Sequence, residues 1–142
     1  MRPPQVGFAQ APQSPGYETE SVQDLLNHLT PEQKQLFEQA TKAFNAQRYS
    51  EALAVYKQML TQLQRDPVIS KFASEAALNT GDISFAMTVL KPLAAADPSD
   101  WQAAALLTRA CAESGDRTCR DSGMAHMIDL HQRAITPPGM QQ

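Results

Sequence analysis

The stretch Asn79-Thr80-Gly81-Asp82 has a near copy in Glu113-Ser114-Gly115-Asp116, so a Gly-Asp pair returns after 34 residues. Glycine takes the left-handed conformation that ends a helix with no side-chain penalty. An aspartate directly after it can accept from the free N–H groups that open the next helix. Each pair therefore reads as a tight corner between two helices. The surrounding chain keeps the same register. A shift of 34 lays Ala52 on Ala86, Tyr56 on Leu90 and Met124, and Met59 on Leu93 and Met127. It also lays Ala40 on Ser74 and Thr108, Ala43 on Ala77 and Cys111, and Asn45 on Asn79. Small residues recur where paired helices must approach closely. One hairpin cannot cover its own apolar face, so several must stack.

Helix signals fill in the rest. Val22, Leu25, Leu26 and Leu29 share one face and predict a short helix over residues 21–28. Thr30, Pro31 and Gln33 form a capping box with proline at the first helical position. The stripe Leu36, Phe37, Ala40, Ala43 and Phe44 then carries a helix to about Ala46. Ser50 is the expected cap of the next, with Leu53, Tyr56, Leu60 and Leu63. Asp66-Pro67 opens a third helix that runs to Asn79, and Asp82 opens a fourth with Ile83, Ala86, Val89, Leu90 and Leu93. Pro92 inside it lacks the N–H that would bond Thr88, which predicts a kink. Asp97-Pro98-Ser99 is expected to open the fifth helix, holding Trp101 and Leu106, and the sixth spans about 117–133.

The chain has 142 residues, 42% hydrophobic and 6% aromatic, enough for one domain with a core of Ala, Leu, Met and Val. Net charge is −3 with no run of Lys or Arg, so no nucleic-acid partner is expected. No stretch of about 18 apolar residues is present, so no membrane insertion is expected. Residues 1–19 hold four prolines and few aliphatics and read as a disordered head. Gly7 and Ala9 stand where a signal peptidase prefers small residues, although the required apolar stretch before them is missing. An export-signal remnant and a chance match both stay open. Localisation leans to an exported, periplasmic protein, with the cytoplasm as the alternative. Residues 135–142 are expected to fray.

On these residues the chain resembles the tetratricopeptide-repeat family. The 34-residue period, the small first-helix residues Ala40, Ser74 and Thr108, Tyr49-x-x-Ala52-x-x-x-Tyr56, Gly81-Asp82-Ile83-x-x-Ala86 and the closing Asp97-Pro98 carry the resemblance. It covers about residues 32–133, as repeats of about 32–65, 66–98 and 99–133 within a domain of 20–134. It weakens in the third repeat, where Arg120 replaces the small alanine and Gly123 follows within the helix. The first repeat has Gln47-Arg48 instead of Gly-Asp. The fold it implies is an all-α, right-handed superhelical solenoid of about three helix-turn-helix repeats.

The resemblance also implies a non-catalytic module, an adaptor or assembly factor, that binds a protein or peptide along a concave face lined by each first helix. The matching positions are Lys34, Phe37, Thr41, Phe44 and Asn45; Val68, Lys71, Glu75, Leu78 and Asn79; and Gln102, Ala105, Arg109 and Glu113. Asn45 and Asn79 are suited to hold a peptide backbone, since an amide both donates and accepts. Members that grip a terminal carboxylate use a Lys, Asn, Asn, Lys and Arg set. Here those positions hold Phe37, Thr41, Phe72, Gln102 and Leu106, which excludes that reading.

No catalytic constellation, phosphate loop or cofactor motif is present, and no enzyme activity, cofactor or metal is expected. His126 and His131 are five apart and do not share a helix face. Cys111 and Cys119 flank the corner at Gly115 almost symmetrically, within reach of a disulfide. Cys111 also reads simply as a small buried residue aligned with Ala43 and Ala77. A thiol- or metal-dependent protein using these cysteines or histidines is one alternative. Another is a self-associating structural module, a homodimer through Met124, Met127, Ile128 and Leu130 of the last repeat.

Overall fold

The computed structural model describes the backbone of residues 15–135 and the side chains of residues 22–134. Seven helices make up these residues, with no strand among them: α1 Pro15–His28, α2 Pro31–Asn45, α3 Tyr49–Leu60, α4 Pro67–Thr80, α5 Ile83–Ala96, α6 Trp101–Ser114 and α7 Arg117–Ile135. Disorder is expected for residues 1–19, of which 1–14 lie outside the described residues while 15–19 belong to α1; of the tail expected to fray, 135–142, the part beyond 135 lies outside them. Helix α1 starts at Pro15, earlier than its apolar stripe alone indicated.

From α2 onward each helix packs on the next, which makes the hairpins α2/α3, α4/α5 and α6/α7 and stacks them in chain order. First helices α4 and α6 also touch directly, whereas second helices α3, α5 and α7 do not approach one another as closely. Phe37 and Phe44 of α2 also meet Phe72 of α4, so the first helices lie side by side as a first-helix layer.

The corner recurs three times with one geometry. Asp82 N–H donates to Ala77 O (2.8 Å), Asp116 N–H to Cys111 O (2.9 Å), and Arg48 N–H to Ala43 O (2.8 Å). Gly81 (φ 89°) and Gly115 (φ 83°) hold the left-handed position, and at the first corner Gln47 (φ 64°) does so despite its Cβ. The capping box forms as expected, with Thr30 Oγ1 accepting from Gln33 N–H (3.1 Å) and Gln33 Oε1 from Thr30 N–H (3.0 Å). Asp66, Asp82 and Asp116 accept from Ile69, Phe85 and Cys119 N–H groups.

Two caps differ from the sequence reading. Helix α3 begins at Tyr49, one residue ahead of Ser50, and the side chain at its cap position, Arg48, makes no capping bond. Helix α6 is capped by Asp100, which accepts from Ala103 N–H (3.1 Å), while Asp97 accepts from Ser99 N–H and Oγ (3.1 and 2.6 Å) in the preceding turn. Both aspartates flank a proline-containing turn, and only the one next to the helix can reach its free N–H groups. Helix α5 continues through Pro92.

The core also departs from composition. Its centre is aromatic: Phe72 of α4 meets Phe37 (5.8 Å), Phe44 (5.3 Å) and Tyr56 (5.4 Å) between ring centroids. Tyr56 Oη and Thr41 Oγ1 share a hydrogen bond of 2.9 Å. Burial pushes the Tyr56 phenol well above its usual range, and that bond only partly offsets it. The few aromatic residues are concentrated at one junction, where edge-to-face and stacked pairs add to simple burial. Around Leu90, Leu106 and Ala110 the core is aliphatic. The third hairpin is held by a Cys111–Cys119 disulfide with Cα atoms 5.6 Å apart. Cys111 is fully buried, at the position that Ala43 and Ala77 hold in the earlier repeats, and it is bonded rather than a free thiol.

Candidate binding face

Helices α2, α4 and α6 carry the residues singled out as a binding face, and they divide into two groups. Phe37, Lys71, Glu75 and Gln102 are buried, and so are Phe44, Val68 and Leu78. They are structural groups rather than open contacts. Lys34, Asn79 and Glu113 are exposed, and Thr41, Asn45 and Arg109 are partly so.

Lys71 illustrates the first group. It lies on α4 at 3% exposure, and its Nζ donates to Asp100 Oδ2 (2.8 Å) and Gln102 Oε1 (3.1 Å). Asp100 uses its other oxygen to cap α6. The lysine therefore locks α4 to the start of α6. A buried charge survives only with such pairing, and removing one partner costs about 3–5 kcal/mol. Thr41 is likewise engaged within its own hairpin by Tyr56.

Helix α1 adds to the same core. Leu25 and Leu29 are buried, and Val22 and Leu26 pack on the same core. Helix α1 approaches α4 directly, rather than stacking along α2 as the later second helices stack along first helices. A cavity of about 320 Å³ separates Asp24, Leu25 and His28 of α1 from Val68 and Lys71 of α4 and from Asp100. Asp66 also lines it, and burial raises its carboxyl above the usual range, against the lowering effect of the Ile69 and Val68 N–H bonds and of Lys71.

The opposite end of the face is polar and open. Arg109 Nη2 donates to Asn79 Oδ1 (2.8 Å), and Arg109 Nε to Glu113 Oε2 (2.7 Å). This chain joins the C-terminal ends of α4 and α6. Asn45, one repeat before Asn79, is placed differently. Its Oδ1 is buried and accepts no hydrogen bond from a described residue. The residue one repeat before Arg109 is Glu75, whose carboxylate cannot replace a guanidinium as donor.

The other candidate chemistry does not come together. His126 Nε2 donates to Pro98 O (2.6 Å), and Asp129 pairs with Arg133 (2.9 Å). Among the described residues no group of three His, Cys, Asp or Glu is arranged to hold a metal ion. No described helix is long and apolar enough to cross a membrane.

The profile of the tetratricopeptide repeat matches residues 43–113, from the end of α2 through α6, and the chain belongs to that family. Such repeats generally mediate protein–protein interaction and are typically not enzymes. No curated protein and no solved structure matches the chain significantly.

Proposed function

Because the chain is a tetratricopeptide-repeat protein, we propose that it is a non-catalytic adaptor or assembly factor that binds a protein or peptide on the open end of its first-helix face. The contact set is Asn45, Asn79, Arg109 and Glu113, at the C-terminal ends of α2, α4 and α6. The observation that carries this reading is the accessible polar chain Asn79–Arg109–Glu113, which joins the C-terminal ends of α4 and α6 and offers amide, guanidinium and carboxylate groups together. Helix α1 occupies the other end, which directs the partner to this one.

The test is affinity capture with mass spectrometry, comparing wild type with Asn45→Ala, Asn79→Ala, Arg109→Glu and with an outer-surface control, Ser84→Lys, Lys91→Glu. The expected result is a partner retained by the control and lost with the face variant at matched helicity. Identical partners for all three proteins contradict the reading.

A further inference from the structure

Helix α7 is built like a second helix that expects to be covered. Met124 falls on Tyr56 and Leu90, each fully buried, yet Met124 itself is 51% exposed and Ile128, one turn on, is 58% exposed. At the earlier junctions α4 lies on α3 and α6 lies on α5, whereas no described helix follows α7.

The third hairpin also turns that side outward. A Cβ on Gly123 would collide with the Thr108 side chain, so Gly123 is the point of closest approach to α6. Helices α3 and α5 place fully buried alanines, Ala52 and Ala86, three residues earlier in the repeat, where α7 has Arg120. Three residues correspond to about 300°, so α7 presents a face rotated by about 60°.

The exposed stripe is Arg117, Asp121, Met124, Ile128 and His131, spaced to lie along one side of a helix. It complements itself when reversed. A two-fold axis at residue 126 sets Met124 against Ile128 and Asp121 against His131 of the second copy. A parallel arrangement would instead oppose Asp121 to Asp121. Asp121 touches Arg120 of its own helix (2.8 Å), but its side chain stays 66% exposed and open to a second contact.

We propose that α7 is the interface of a symmetric homodimer, in which it packs antiparallel on α7 of a second copy. Such a contact is isologous and closed, so it caps the stack at two chains and prevents open-ended growth. It leaves the first-helix face free, so dimerisation presents two binding faces per particle.

Sedimentation equilibrium of the full chain over a wide concentration range tests this. The mass is expected to rise from 15.6 kDa to twice that value. Met124→Lys with Ile128→Lys is expected to remain monomeric with unchanged circular dichroism. Asp121→Lys is expected to weaken the dimer, and adding His131→Glu to restore it. A wild-type chain that stays monomeric at every concentration overturns the proposal. So does a dimer that the Met124, Ile128 variant still forms, or equal affinity for the single and compensated charge variants.

Discussion

Helices α4 and α7 sit in one repeat array and have opposite surroundings. Every residue of α4 from 68 to 78 is buried, on all sides of the helix. Helix α7 is longer, and none of its described side chains reaches full burial. Helix α4 has α3, α5, α6 and α1 around it, whereas α7 rests on α6. In a stack whose stability comes from nearest neighbours, place in the array decides what a helix buries. The same 34-residue pattern yields a core helix in the middle and an open face at the end.

The largest effect should come from the aromatic centre of α4. Phe72→Ala is expected to cost about 3–5 kcal/mol, whereas Ile128→Ala should stay within about 0.5 kcal/mol for the monomer. Urea denaturation at low protein concentration measures both. Similar losses would erase the contrast. Lys71→Ala should follow, at about 3 kcal/mol, because Asp100 is left buried without its cation. Its loss should be seen in global unfolding, since the pair bridges α4 and α6.

Reduction of Cys111–Cys119 is expected to cost about 2–3 kcal/mol from loop closure over so short a span. It should act on α6 and α7, and leave the exchange of α4 amides little changed. A uniform loss across both helices would mean that α7 is more tightly coupled to the stack than its contacts indicate.

Gln47→Gly should be stabilising by about 1 kcal/mol, since it removes a side chain from a left-handed position that Gly81 and Gly115 fill elsewhere. The reverse change, Gly81→Gln, should be destabilising to a similar extent. The smallest effect belongs to Asp66. Its raised carboxyl favours the protonated native state, so that contribution is present below about pH 4 and lost as pH rises through the native value. Asp66→Asn keeps an acceptor for Ile69 N–H and should flatten this part of the melting temperature against pH. An unchanged slope would assign it to another group.

Much of the fold could be read from residues with strong local physics. Gly81 and Gly115 mark corners because left-handed backbone favours glycine, and Thr30 with Gln33 marks a start because the pair caps reciprocally. Gln47 gave no such mark, since glutamine has no preference for the conformation that the first corner imposes. Asp97 and Asp100 carry the same acceptor, and only the three-dimensional path of the turn selects between them. The binding face was less legible. Helical spacing placed Lys71, Glu75 and Gln102 on the inner side of the stack, but a period cannot report what lies over that side. The α4–α6 contact buries Lys71 against Asp100 and Gln102. Gly123 stood out only as a departure from the repeat; a glycine within a helix often marks close approach, and here it takes the place of the alanine that Arg120 displaces.

Hydrogen–deuterium exchange across α4 and α7 as protein concentration rises tests most directly whether the stack decides burial. The α4 amides are expected to exchange slowest at every concentration. The α7 amides are expected to exchange fast in dilute solution and to slow as copies pair. An α7 as protected as α4 in dilute solution, or an α4 that exchanges as fast as α7, would contradict it.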